Sequence, residues 1–314
     1  MKRLVLALFA LSTLVSCAPD TLRTTWKYAT LAPDSVPGPY RRVLAAETLH
    51  AALIRELGAT ESLLGVCDAG YVADSALRAL LASGRIADFG SCLAPDCERL
   101  AAARPDALLL SDVQGADRAA FERLGKPIVP LADYQESLPL GRAEWARVIG
   151  RLVGRAEQAD SLFSQVEARY DSLCRIASQR SDCPLLLCDL PQGGTWYVPG
   201  NESYLAHLYR DAGFSLPWSD AKGAGSVPLS VEQILASAAQ ADVWLIKYAA
   251  PADLTYEELL RQCPVAARIK AFRERRVMGC NTLRCPYYEH TPFHPDRLLQ
   301  DLLQGSCIYY QPLK

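Results

Sequence analysis

The chain has no run of 18 consecutive apolar residues, so no membrane-spanning helix is expected. Histidine is scarce: the only four are at 50, 207, 290 and 294. No CxxC occurs and no histidine stands at ligand spacing from the close cysteine pairs, which argues against a zinc site. HExxH, GxSxG and GxGxxG are all absent, so no familiar catalytic or dinucleotide-binding signature is present. His290 and His294 have helical spacing, but Pro292 between them disfavours one continuous helix. A net charge of −2 provides no basic surface for nucleic acid. A receptor for bare Zn²⁺ or Mn²⁺ would need several His and carboxylates together; Asp68, Asp112, Asp189 and His50 exist, but no cluster is visible.

What is present is an alternation of short apolar runs and helical periods. Half of the 314 residues are apolar, enough for a sizeable core. In the first half, strands are expected at 41–45, 63–67, 86–89, 107–111 and 127–131. Helices are expected between them at 47–57, 74–82, 95–103 and 116–124. In the second half the expected strands are 185–188, 243–246 and 277–280, with helices at 202–212, 230–238, 256–275 (broken at Pro264) and 295–303. Such alternation predicts an α/β fold with parallel sheets covered on both faces.

One long helical stretch, 144–179, joins the halves. Trp145, Val148, Leu152, Ala156, Ala159, Phe163, Val166, Tyr170 and Leu173 form a single apolar stripe along it. Gly154 reads as the cap of a first helix. The second then spans roughly 36 Å at 1.5 Å per residue, enough to reach from one lobe to the other. A stiff connection implies a cleft held in place.

The N-terminus has Lys2 and Arg3 ahead of an apolar run at 4–15, a signal-peptide pattern. The run leads into Leu14-Val15-Ser16-Cys17, which resembles the lipobox of bacterial lipoproteins. That resemblance implies cleavage before Cys17, lipidation of its thiol and a periplasmic, membrane-anchored protein. Ala18 is not the aspartate that would mark inner-membrane retention. Residues 18–39 hold four prolines and read as a tether, with one short strand at 26–31. Beyond Cys17 there are ten cysteines, and export makes disulfides an expectation. Cys92/Cys97, Cys183/Cys188, Cys280/Cys285 and Cys174/Cys183 are the close pairs, with connectivity left open.

In open α/β sheets, ligands bind beyond the carboxyl ends of the strands. The loops there are 68–71, 90–93, 112–115, 191–200, 247–249 and 281–284. They carry Tyr71, Trp196, Tyr197 and Tyr248, aromatics that suit a large flat ligand. Lys247 and Arg284 are the cations singled out on these loops, few for an anionic catecholate. The balance favours a corrinoid or haem-like ring.

Four segments resemble the helix-bridged (class III) solute-binding proteins of ABC importers, of the vitamin B12 and ferric-siderophore type. They are Ala94-Pro95-Asp96-Cys97-Glu98-Arg99-Leu100 leading into 103–109, Trp196-Tyr197-Val198-Pro199-Gly200-Asn201 through 213, Pro228-Leu229-Ser230-Val231-Glu232-Gln233 through 246, and His294-Pro295-Asp296-Arg297 through 302. The resemblance covers about 40–312. It implies two Rossmann-like lobes joined by a long bridging α-helix, divided as signal peptide 1–16, lipidated tether 17–39, N-terminal lobe 40–155, bridging helix 156–180 and C-terminal lobe 181–314. It further implies a monomer that captures a metal chelate and hands it to permease subunits, with no cofactor, resident metal or catalysis. In that family one glutamate per lobe docks on arginines of the permease, and Glu98 and Glu232 match those positions. Each also lies in a first helical turn, where a carboxylate favours the helix dipole in any case. The competing expectations are an exported enzyme such as a chelatase on a related scaffold, or the bare-metal receptor weighed above.

Overall fold

The computed structural model describes residues 26–111, 116–218 and 220–314. The expected signal peptide, Cys17 and the loop 112–115 lie outside the described residues.

The first lobe is a five-stranded parallel sheet in the order Ala87–Asp88, Leu63–Val66, Val43–Ala45, Ala107–Ser111, Ile128–Leu131. Ala107–Ser111 is buried along its whole length, as a parallel strand covered on both faces must be. The helices Thr48–Glu56, Ser75–Ala82, Cys97–Ala103 and Arg118–Glu122 alternate with these strands. Three of them are capped by aspartates, Asp74, Asp96 and Asp117, which accept the backbone N–H three residues on.

The second lobe departs from the all-parallel expectation. Leu186–Cys188, Val243–Tyr248 and Val277–Asn281 are parallel neighbours, but Gln311–Pro312 closes the edge antiparallel. A separate antiparallel sheet, Ser226–Ser230, Thr195–Pro199 and Pro191–Gln192, packs beside it. The expected helix 256–275 is Tyr256–Gln262, a 3-10 segment Pro264–Arg268 and a short helix Lys270–Arg273, interrupted where Pro264 removes a backbone donor.

The connection between lobes is a helical hairpin. The first helix starts at Pro139, earlier than expected, because proline is well placed at a first helical position. It ends at Leu152, and Gly154 adopts the left-handed conformation of a helix cap (φ 69°). The second, Ala156–Ala177, has 22 residues, about 33 Å at 1.5 Å per residue. Its buried stripe is Ala159, Phe163, Val166, Tyr170, Leu173 and Ala177. Ala159 belongs to the first lobe's core, and Phe163 onward to the second's. The first helix is divided likewise, with Leu140 and Ala143 in the second core and Trp145 to Val153 in the first. Both helices therefore bridge. Among the described residues no helix is long and apolar enough to cross a membrane.

From Trp26 the expected tether is fastened down, and 26–31 is no strand. The buried carboxylate of Glu144 accepts the N–H groups of Lys27, Tyr28 and Ala29 at 3.0, 2.7 and 2.9 Å. Glu136 accepts those of Thr30 and Leu31, plus the Trp145 indole N–H. Two acidic side chains replace the partner strand that these backbone donors would otherwise need.

The lobes are also joined at the back. Glu289 of the short helix Tyr287–His290 accepts the Ala73 and Asp74 N–H groups. His294 reaches Glu56 at 2.8 Å, and Arg78 donates to the Leu283 carbonyl at 2.6 Å. Phe293, between these contacts, lies in the first lobe's core.

Candidate functional site

A cleft of about 400 Å³ opens at the carboxyl end of the second lobe's sheet. It falls within the size range of small-molecule sites. Tyr197, Tyr204 and Tyr288 line it from one lobe and Tyr134 from the other. Tyr134 lies in a 3-10 turn, Asp133–Gln135, just past the strand Ile128–Leu131. Tyr204 opens the helix Tyr204–Asp211, and the Arg142 guanidinium sits 4.7 Å from its ring centre. Tyr197 and Tyr288 are the most open, at 44% and 57% exposure.

The charged element of the cleft is Lys247 with Asp189. The ammonium lies 2.7 Å from Asp189 Oδ1 and 2.9 Å from Oδ2. Burial works against the charge on Lys247, but Asp189, with Tyr209 and Tyr287, outweighs it and holds its pKa well above the ordinary lysine value. Asp189 takes a left-handed backbone conformation (φ 61°) directly after the strand Leu186–Cys188, which aims it at the next strand's lysine. The pair is charge-neutral, so Lys247 brings no free positive charge to a ligand.

The other expected contacts divide. Tyr197 and Lys247 line the cleft. Trp196 does not: it is wholly buried, its indole N–H donates to the Cys188 carbonyl at 2.8 Å, and its ring lies 5.8 Å from that of Trp244. Tyr248 and Arg284 border a second cavity of about 500 Å³, with Asp253, Asn281, Cys285 and the chain's last residues. There the Tyr248 hydroxyl accepts the Leu254 N–H, and Arg284 pairs with Asp253 at 3.1 Å. Tyr71 is 73% exposed on the turn Ala69–Tyr71 and lines neither cavity. Tyr134, Tyr204 and Tyr288 were not anticipated. The signal for Tyr134 was available, since it follows directly on a strand's carboxyl end.

Glu98 and Glu232 are exposed, each in the first turn of its helix, Cys97–Ala103 and Val231–Ala238. Each helix precedes a buried strand, so the two sites correspond between lobes. Among the described residues neither carboxylate is in an ion pair or side-chain hydrogen bond. No group of three or more His, Cys, Asp or Glu among them could hold a metal ion. His290 and His294 flank a break between two helices and face Asp74 and Glu56.

All ten described cysteines are free thiols. Cys280 and Cys285, one of the close pairs expected to offer a disulfide, are joined by a thiol hydrogen bond instead. Cys92 instead meets Cys67, while Cys97 Sγ lies 3.6 Å from the Ala120 carbonyl. Cys183 is exposed, whereas Cys188 is buried at the end of its strand.

A family profile described as periplasmic binding protein matches residues 43–282, well over half of the chain. The chain belongs to the periplasmic binding protein family. The helix-bridged solute-binding type expected from the sequence is thereby borne out. An uncharacterized lipoprotein of Methanocaldococcus jannaschii is 25% identical over 279 residues, 84% of this chain. The match spans 64% of that relative, under two thirds of its length. A possible iron-binding (periplasmic solute-binding) protein of Staphylococcus epidermidis superimposes with a TM-score of 0.67 at 18% identity, over 85% of this chain and 98% of its own. A periplasmic heme binding protein of Pseudomonas aeruginosa gives 0.66 at 20%, over 88% and 95%. At these identities the likeness concerns the two-lobed fold.

Proposed function

We propose that this protein is the substrate-binding component of an ABC importer and captures a flat metal chelate, of the haem or ferric-chelate class, between its lobes. One observation carries this reading: tyrosines from both lobes line a single cleft whose lysine is neutralised by Asp189. Aromatic walls suit an extended ring system. A polyanionic catecholate would gain little there, because the cation on the wall already has its partner. A phenolate is a hard oxygen donor for ferric iron, as in tyrosine-ligated haem. Tyr197 and Tyr288, the exposed phenols, are the candidates for stacking on or ligating the cargo. This moves the balance from a corrinoid towards an iron chelate. The iron-binding and heme-binding descriptions of the two solved neighbours agree with it.

The protein performs no chemistry on its cargo in this reading. It is held at the membrane through Cys17 and delivers the chelate to a permease that recognises Glu98 and Glu232. The test is titration of the purified protein with haemin, cobalamin, a ferric hydroxamate and a ferric catecholate, followed by visible absorbance and tryptophan fluorescence. Haemin or the hydroxamate saturates the cleft and the catecholate does not. Tyr197→Ala and Tyr288→Ala each weaken binding by about 1–3 kcal/mol, the range of an aromatic anchor. Tyr→Phe at the ligating position changes the iron spectrum while keeping the stack. Failure of all four ligands to bind, or wild-type affinity in the double alanine variant, refutes this assignment.

A further inference from the structure

Each lobe places two thiols against one another at the carboxyl end of its sheet, and in each pair one sulfur is buried and the other half-exposed. In the first lobe, Cys67 directly follows the strand Leu63–Val66 and Cys92 lies in the turn between Gly90–Ser91 and Ala94–Pro95. The Cys67 N–H and the Cys92 thiol converge on one acceptor, the Ala46 carbonyl, at 3.1 and 3.8 Å. The turn is held to the strand end by two further bonds: the Cys92 N–H donates to Asp68 Oδ2 at 3.0 Å and the Asp68 N–H to the Gly90 carbonyl at 2.7 Å. In the second lobe, Cys280 lies in the strand Val277–Asn281 and Cys285 closes the turn after it. The Cys285 N–H donates to the Asn281 carbonyl at 2.9 Å, which folds the chain back and sets the two thiols in hydrogen-bond contact. Cys67 and Cys280 are wholly buried, while Cys92 and Cys285 are half-buried, and Cys285 lines the second cavity.

We propose that Cys67–Cys92 and Cys280–Cys285 are oxidation sites that close as disulfides, one per lobe, each fastening a loop to the carboxyl end of its sheet. This does not depend on what the cleft binds. The step needs a disulfide-bearing oxidant. The half-exposed thiolate attacks one sulfur of the oxidant and expels the other as a thiolate. The buried partner loses its proton and displaces the second. The protein gains one S–S bond, and the oxidant leaves as two thiols carrying the two electrons and two protons. In the second lobe, the hydrogen bond from Cys280 holds the Cys285 thiol below the ordinary cysteine range, which favours it as the attacking group. In the first, the bond with Cys67 pushes the Cys92 thiol up, so exchange there runs faster at alkaline pH.

The test uses the full chain. It is incubated with excess oxidised glutathione at mildly alkaline pH or with a phosphine reductant, then denatured, alkylated and mapped by tryptic mass spectrometry. Trypsin cuts after Arg284 and at Arg78 and Arg85, so both links join separate peptides. The oxidised sample contains 67–92 and 280–285 cross-linked peptides, each lighter by two hydrogens, and both vanish on reduction. Cys67→Ser and Cys280→Ser each abolish their own link, leave the other, and stop the orphaned partner at its mixed disulfide with glutathione. Complete alkylation of all four thiols after oxidation overturns the proposal. So does a map in which Cys92 joins Cys97 or Cys285 joins Cys307. The wild-type map decides the matter even where a variant fails to fold.

Discussion

His290 Nε2 lies 3.0 Å from Asp74 Oδ2, so a side chain of the second lobe is bonded to the cap of a first-lobe helix. The same carboxylate accepts the Leu77 N–H at 2.7 Å and pairs with Arg55 at 3.2 Å. The hydrogen bond from His290 outweighs burial and holds the Asp74 carboxyl at about 2. Replacing Asp74 by alanine removes a cap, an ion pair and an inter-lobe bond together. The expected loss is about 2–4 kcal/mol, read as a lower melting temperature. Asp74→Asn keeps part of the cap and loses less. A melting temperature unmoved by Asp74→Ala would show that this contact does not hold the lobes.

His50 gives the pH dependence. It is wholly buried between Asp133 at 2.9 Å and Glu47 at 3.2 Å. Burial alone would lower its pKa, but Asp133 and Glu47 prevail and raise it to about 9. A raised histidine stabilises the fold fully below its unfolded value near 6.5, and that contribution is lost as pH climbs through about 9. Stability should therefore fall on the order of 3 kcal/mol between pH 6.5 and 9.5. Denaturant melts across that window check it, and in His50→Gln the slope disappears.

Glu144 tests the fastening of the N-terminal segment. Three backbone donors and Arg147 converge on its buried carboxylate. Glu144→Ala leaves those donors unpaired at a cost of about 2–4 kcal/mol. Hydrogen exchange at Lys27, Tyr28 and Ala29 should rise sharply, while amides of the strand Ala107–Ser111 stay protected. Unchanged exchange at all three would mean that the carboxylate is not what holds the segment.

The docking carboxylates predict a separation of functions. Glu98→Ala with Glu232→Ala should leave cargo affinity and melting temperature unaltered and abolish transport in cells. Truncating one side of a desolvated interfacial charge pair costs about 2–5 kcal/mol. Reversal to arginine is worse than alanine, because like charges then meet. Wild-type uptake in the double variant would remove the docking role.

The alternation of strands and helices was legible because each element carries its own period, and Gly154 marks its own break. The antiparallel sheet of the second lobe was missed although its signal was present. Gly193-Gly194, with φ of 55° and 85°, is a two-residue hairpin turn between Pro191–Gln192 and Thr195–Pro199. Recognising that strand would also have sorted its aromatics. A period of two turns Trp196 and Val198 inward and leaves Tyr197 outside. Trp196 was thus misread as a ligand contact for want of one strand. The roles of Glu136 and Glu144 were not legible, since their partners lie more than 100 residues away in sequence. Tyr288 was hidden for a different reason: it lies in a four-residue helix that no periodicity announces.

Phe293 comes from the second half of the chain, yet its ring is enclosed by side chains of the first. The first half cannot complete its interior alone, because the second supplies one of the side chains that fill it. The chain should melt as one cooperative unit, with a single calorimetric transition whose van't Hoff and calorimetric enthalpies agree. A cut between the halves would yield two fragments that regain structure only when mixed.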